Sequence, residues 1–406
     1  MEFENTEAIT DFGRLPRLLH ALGGRQKLAE WTEAFVAEPG SECVVLVTGG
    51  KSLERSGRLV ELCRLLQGRG LRVEHLRVDG EPSDLWVDAA REAVAHKQPA
   101  VVVAVGGGSV LDAGKALAAL LEENEPTKCY LEGVGDRQPS GRSLPWIALP
   151  TTAGTGSEGS FNAVLSRVGP DGFKKSLRHR NFRPHSVILD GELAMGCPVS
   201  VTAACGMDAL TQLLEAHLSP KSFSLLDRWL EWGLECAFRS LPKLVLDPDP
   251  AVEPECRHDM AIAAYLSGIG LAHADLGTVH GFAGPLGARL PIPHGVVCGA
   301  LLAPCMRETL LWLEANTAES VAVEKLSRAG RILAGVTGIS LDSNAACRHF
   351  LIETLQNWTQ RMQFPGFAQF GLDEALSEGI VESANNRQNP AQLSKAVLAR
   401  ILKEVS

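Results

Sequence analysis

"PAVVVAVGGGSVLDAGKALAALL", residues 99–121, decides the fold. Its opening seven residues are all apolar, with no alternation to mark a solvent face, as expected of a strand buried on both sides. Gly106, Gly107 and Gly108 follow directly, and apolar residues then recur at helical spacing. Strand, glycine turn and helix in this order make one half of a parallel β-α-β unit. Two similar units precede it. "CVVLVTGG" (43–50) reads as a buried strand before the helical "SGRLVELCRLLQGRG" (56–70), and "LRVEHLRV" (71–78) as a strand before the helical "AREAVAHKQ" (90–98). This alternation predicts an α/β domain built on a doubly wound parallel sheet. From about residue 192 long helical patterns take over, such as "PVSVTAACGMDALTQLLEAHL" (198–218) and "SLLDRWLEWGLECAFRSL" (224–241), with a turn at "DPDP" (247–250). The chain is expected to divide into an α/β domain over 1–191 and an all-α domain over 192–406, each large enough for its own core.

Composition narrows the function. The 406 residues are 45% hydrophobic and 21% charged, with a formal net charge of −9. Basic residues are scattered, and the densest group, "KKSLRHRNFR" (174–183), is short, so no face is positive enough to neutralise a nucleic-acid backbone. The acidic start "MEFENTEAIT" does not read as a secretory signal, and no apolar run approaches the roughly 20 residues of a membrane helix. Ten cysteines without a CxxC pair suit reduced thiols in the cytoplasm.

Three stretches carry chemistry. At Gly106–Gly108 the missing Cβ atoms allow close approach, and the amides and dipole of a helix start favour a pyrophosphate. Ser109 with Asp112 three residues on reads as a capping box. A GxGxxG motif would need Gly where Leu111 stands, so on the loop alone a nucleotide site and a plain strand-to-helix turn are equally supported. "LPTTAGTGSEGS" (149–160) is either a linker or a loop along which a ligand lies. "GMDALTQLLEA" (206–216) sets Asp208 and Gln212 one helical turn apart, and "HADLGTVHGFAGPLGARLPIPHG" (273–295) adds His273, His280 and His294. One carboxylate and two imidazoles can bind a divalent metal, although single histidines at surfaces or helix caps explain the same pattern.

Taken together, "FGRLPRLL", "AVGGGSVLDAGKA", "LPTTAGTGSEGS", "VILDGEL", "GMDALTQLLEA", "VHGFAGPLG", "PHG" and "NPAQLSKAVLARIL" resemble the iron-containing, group III alcohol dehydrogenases over nearly the whole chain. The resemblance implies a Rossmann-like first domain and a helical second one, an architecture similar to dehydroquinate synthase. It implies that the 149–160 stretch lies along a dinucleotide, with Thr151, Thr152, Thr155 and Ser157 beside it and Gly154 and Gly156 leaving it room. Gly107, Gly108 and Ser109 would hold the pyrophosphate, with Gly106 also in the cofactor site and Asp112 near the nicotinamide. The metal ligands would be Asp208, Gln212, His280 and His294, binding Fe²⁺ or Zn²⁺. Gln212 stands where the family has His, and Gly284 where it commonly has a further active-site His, which leaves His273 or water as proton relay. Asp208, His280, His294 and His273 are thus the expected catalytic residues. Gly49 stands where NAD-dependent members carry an Asp, and with Gly50, Lys51 and Ser52 it suggests that NADP(H) is preferred to NAD(H). The implied activity is that of an NADP(H)-dependent alcohol dehydrogenase or aldehyde reductase using a metal Lewis acid. Its substrate would be a small alcohol or aldehyde, an anionic one included, and the protein a cytoplasmic homodimer. The alternatives are a metal-independent oxo-acid reductase similar to maleylacetate reductases, with Arg178, His179 or Arg289 holding an anion, and a lyase similar to dehydroquinate synthase.

Overall fold

The computed structural model describes residues 12–36, 42–167 and 172–406. The acidic stretch at the start of the chain therefore lies outside the described residues. One six-stranded sheet is formed by β1 (Arg17–His20), β2 (Cys43–Thr48), β3 (Arg72–Arg77), β4 (Val101–Gly106), β5 (Trp146–Pro150) and β8 (Ser186–Leu189), of which β2 and β4 are rich in valine. Its order is β1-β8-β5-β4-β2-β3, and every pair is parallel. Every residue of β2, β4, β5 and β8 is buried, which accounts for the unbroken apolar runs. Successive side chains serve opposite faces. Val45, Val47, Val102, Ala104 and Ala148 join one core, and Val44, Leu46, Val101, Val103 and Ile147 another.

The helices of this half are α1 (Leu28–Glu33), α2 (Ser52–Arg55), α3 (Arg58–Gln67), α4 (Asp84–Ala95) and α5 (Gly108–Leu120). Leu28, Trp31, Leu62 and Leu66 of α1 and α3 cover one face, and Ala90, Leu111, Ala113 and Leu117 of α4 and α5 the other. An antiparallel hairpin of β6 (Asn162–Arg167) and β7 (Phe173–Arg178) stands outside the sheet. Most of the short basic cluster lies on β7, where its positive charge is partly matched by Lys174–Glu81 and Arg178–Glu132 ion pairs.

The remainder is helical: α6 (Val199–Leu218), α7 (Ser224–Val245), α8 (Glu253–Ala274), α9 (Thr278–Arg289), α10 (His294–Asn316), α11 (Val321–Thr337), α12 (Asn344–Met362), α13 (Glu374–Ser383) and α14 (Lys395–Glu404). The parallel sheet followed by a helical region is the predicted architecture. One expectation is corrected. By length and composition α10 could cross a membrane, because small apolar residues and cysteines fill the turns after His294, but 78% of its apolar window is buried among the other helices. All ten cysteines are free.

Candidate active site

The carboxyl ends of parallel strands are where open α/β sheets bind ligands, because the loops and helix N-termini converge there. A cleft of about 630 Å³ opens at that place. Gly49, Gly50 and Ser52 after β2, Gly106 to Ser109 after β4, and Thr151, Thr152 and Thr155 after β5 line one side. Asp208 and Cys205 of α6 and His294 of α10 line the other. The Thr151 amide donates to the Gly106 carbonyl (2.9 Å), tying two of these loops together.

The glycine loop starts α5 two residues before the expected place. Gly107 is the N-cap, no side chain caps the helix, and Ser109 lies inside its first turn, so there is no capping box. A Cβ on Gly106 would sit 2.4 Å from Val110 Cγ2, and one on Gly108 would sit 2.5 Å from Thr155 Oγ1. The turn is built for contact both with its own helix and with the threonine loop.

That threonine loop is no linker. Lys115 of α5, fully buried, donates from Nζ to the Ser157 carbonyl (2.8 Å), Ser157 Oγ (3.0 Å), Ser160 Oγ (3.2 Å) and the Asn162 carbonyl (2.6 Å). Burial lowers the Lys115 pKa to about 8, against the pull of Asp112 and Glu158. Asp112 accepts from Ser157 Oγ (2.5 Å) and the Val164 amide (3.1 Å), and Ser157 is itself buried. Asp112 and Ser157 therefore anchor the loop from behind and are not among the residues lining the cleft. Gly154 and Gly156 differ from expectation in the same way. A Cβ on Gly154 would meet Cys205 of α6 at 2.9 Å, and one on Gly156, whose φ is +63°, would meet the Gly268 amide of α8 at 2.4 Å. Their lack of side chains lets the loop press against the helices. Lys51 is exposed and precedes α2, outside the cleft lining.

Across the cleft, Asp208, His280, His294 and Cys298 place one ligand atom each within 4.8 Å of one another. Asp208 Oδ1 lies 3.5 Å from both His280 Nε2 and His294 Nε2. His280 Nδ1 meets Glu215 Oε2 at 2.7 Å, and Glu215 Oε1 accepts from the Val279 amide at 2.6 Å. The fully buried Glu215 thus fixes the ring with Nε2 toward the cluster, the arrangement by which an outer carboxylate orients a metal-binding histidine. Burial alone would push the Asp208 carboxyl up, but His294 and His280 hold it well below the usual carboxylate range. His280 is raised against burial by Cys298, Asp208 and Glu215, and His294 by the Cys298 sulfur and, against burial, by Asp208. A cluster that stabilises this much positive charge, with N, O and S donors so closely spaced, suits a divalent cation.

Gln212 is not presented as a ligand. Its amide nitrogen donates to Asp208 Oδ1 (3.1 Å) and the Thr155 carbonyl (3.4 Å), and its oxygen accepts from Ser267 Oγ (3.2 Å). The hydrogen-bonding partners assign the amide so that its oxygen, the one atom able to ligate a metal, is taken by Ser267 while the NH₂ group meets Asp208. His273 is not brought to the cleft either. It ends α8, bonds Arg183 Nη2 through Nε2 (2.8 Å) and lines a separate cavity with Phe161 and Arg178. Arg178 pairs with Glu132, the His179 ring packs over Phe182, and Arg289 bonds Ser383, so none of the three supplies an anion pocket in the cleft. Sequence reasoning missed Glu215 and Cys298. Both carried a signal, since each lies at helical spacing from a recognised residue: Asp208 to Glu215 at seven positions, His294 to Cys298 at four.

The model of the iron-containing alcohol dehydrogenases matches residues 21–191, and that of the C-terminal region of the Fe-containing alcohol dehydrogenase family matches residues 202–406. A probable alcohol dehydrogenase, EutG, of Salmonella typhimurium is 31% identical over 345 residues, covering 85% of this chain and 82% of the relative. An NADPH-dependent butanol dehydrogenase of Clostridium saccharobutylicum is 27% identical over 371 residues, covering 88% of this chain and 90% of the relative. Among solved structures, a 1,3-propanediol oxidoreductase superposes with a TM-score of 0.80 at 25% identity, over 96% of this chain and 98% of that one.

Proposed function

The chain belongs to the iron-containing alcohol dehydrogenase family, an oxidoreductase family, and from that premise we propose that it interconverts a small alcohol and its aldehyde with NADP(H) and a divalent metal. One observation carries this reading: Asp208 and His294 line the same cleft as the glycine and threonine loops. A dinucleotide lying along Gly106 to Ser109 and Thr151 to Thr155 would therefore bring its reactive end toward the metal-binding cluster. Asp208, His280 and His294 would hold the metal, with Glu215 orienting His280. The bound metal would supply Lewis acidity toward the substrate oxygen, and the nicotinamide would supply or accept hydride. The Gly108 and Ser109 amides, which precede the first amide of α5 bonded to the Gly107 carbonyl, would receive the pyrophosphate. Apolar Val296 and Val201 at the rim would limit access of water to the reacting carbon.

The preference for NADP(H) is supported by the absence of a carboxylate at Gly49, where an acid would repel a 2′-phosphate. Packing gives Gly49 a second reason to be glycine, because a Cβ there would lie 2.8 Å from Val110 Cγ2. The test is kcat/KM with NADPH and NADH on short aldehydes, where a clear preference for NADH defeats the assignment. The reciprocal variant should combine Gly49→Asp with Val110→Ala, which makes room for the acid, and should shift the ratio toward NADH. A homodimer is supported by edge strand β1 and the exposed Leu15, Leu18 and Leu22 around it. Free cysteines throughout the chain support a cytoplasmic setting.

A further inference from the structure

Where the resemblance leads one to expect a fourth ligand on α6, Gln212 turns its oxygen to Ser267 and leaves that corner of the cluster to an NH₂ group. The opposite corner holds a sulfur. Cys298 Sγ lies 3.7 Å from His294 Nε2 and 3.9 Å from His280 Nε2, one helical turn beyond His294 and fully buried. A buried cysteine ordinarily packs as a small hydrophobe. Here its sulfur sits between two imidazoles, within 4.8 Å of an aspartate oxygen.

The spacing can be compared with a four-coordinate metal. For bonds of about 2.0–2.1 Å to nitrogen or oxygen and about 2.3 Å to sulfur, tetrahedral angles require donor separations of about 3.4 Å between N and O and about 3.6 Å between N and S. The two Asp208–histidine separations are 3.5 Å, and the two sulfur–histidine separations are 3.7 and 3.9 Å. Along these four separations a few tenths of an ångström of contraction suffices, and the remaining two donor pairs lie within 4.8 Å. Building on the reading that a divalent metal occupies this site, we propose that Cys298 replaces the α6 ligand and that the protein holds Zn²⁺ through Asp208, His280, His294 and the Cys298 thiolate, in preference to Fe²⁺. On loading, the thiol proton leaves to solvent and a metal–sulfur bond forms, with no change of oxidation state. Thiolate is the softest donor in the set, and N/S donors suit zinc, which also lies above iron in the affinity series. A second anionic ligand beside Asp208 cancels the ion's charge within the ligand shell. The ion is therefore a milder Lewis acid than one held by one carboxylate and three imidazoles, and it would reach a substrate oxygen by expanding from four ligands to five.

Cobalt reports on sulfur ligation independently of turnover. Chelator-stripped protein reloaded with Co²⁺ should show both the visible d–d bands and a near-ultraviolet sulfur-to-cobalt charge-transfer band. Cys298→Ser, nearly isosteric, should lose the charge-transfer band, keep the d–d bands and bind zinc at least about tenfold more weakly, the least that loss of even an outer-shell partner costs. Gln212→Ala should keep both sets of bands. Under anaerobic competition with equal Zn²⁺ and Fe²⁺, the native protein should take up mainly zinc and the serine variant should lose that preference. Full d–d bands without charge transfer in the native protein, or charge transfer that survives in Cys298→Ser, would overturn thiolate ligation while leaving the metal site intact. Protein that takes up no cobalt would overturn the metal-site reading and the thiolate with it.

Discussion

Glu215→Gln removes one charge and almost no volume, which makes its effect readable. Glu215 accepts two hydrogen bonds, from the Val279 amide at 2.6 Å and from His280 Nδ1 at 2.7 Å, and its side chain is fully buried. A glutamine has one acceptor oxygen and one donor nitrogen, so it can serve only one of the two donors. If the oxygen keeps His280, the Val279 amide is left facing an NH₂ group in the core, at a cost of about 1–3 kcal/mol in stability. If the oxygen keeps Val279, His280 must accept at Nδ1 and carry its proton on Nε2, which removes it as a ligand. In the first case the ring still loses its ionised partner. Loss of such a partner typically lowers metal affinity 10–100-fold, about 1.4–2.7 kcal/mol. Competition between protein and a chromophoric chelator measures the affinity, and a thermal melt of the metal-free proteins separates it from folding. An unchanged metal affinity in a folded variant would refute the role given to Glu215.

Two further outcomes follow from the structure. Gly107→Val should abolish NADPH binding in a folded protein, because even a Cβ there comes within 3.0 Å of Thr152 Oγ1, and cofactor fluorescence titration with unaltered affinity would show that the loop is misassigned. Burial raises the pKa of Glu158 to about 7, while its own backbone amide and Lys115 pull the other way, and its Oε1 has no partner among the described residues. A carboxyl raised in the folded state stabilises most below its unfolded value of about 4.5, and that contribution is lost as pH rises toward 7, on the order of 3 kcal/mol in all. Glu158→Gln lacks this loss, so its Tm relative to the native protein should climb from pH 5 to pH 8; parallel curves would argue against a raised pKa.

The sheet was legible because strands buried on both faces leave unbroken apolar runs, as in residues 101–105, and because glycines mark the ends of β2 and β4. The hairpin of β6 and β7 was not, since its half-exposed strands mix basic and apolar residues without a clean alternation. Within the site, Asp208, His280 and His294 place donor atoms close together. Asp112, Ser157, Gly154 and Gly156 stand close to the cleft in sequence but serve the packing behind it. Only the three-dimensional direction of each side chain separates those two uses. Gln212 and Cys298 illustrate the same limit from the other side. Both lie one turn from a recognised residue, and the Ser267 hydroxyl and the two imidazoles decide which of them turns toward the cluster.

The central claim is that reduction of a carbonyl in this cleft depends on a metal held by Asp208, His280 and His294. The direct measurement is NADPH oxidation with a short aldehyde by protein of known metal content, before and after chelation and after reloading with Zn²⁺ or Fe²⁺. The account predicts activity proportional to bound metal, lost on stripping, regained on reloading, and absent from His280→Ala. Full activity in metal-free protein, confirmed by elemental analysis, would contradict it and favour a metal-independent oxo-acid reductase.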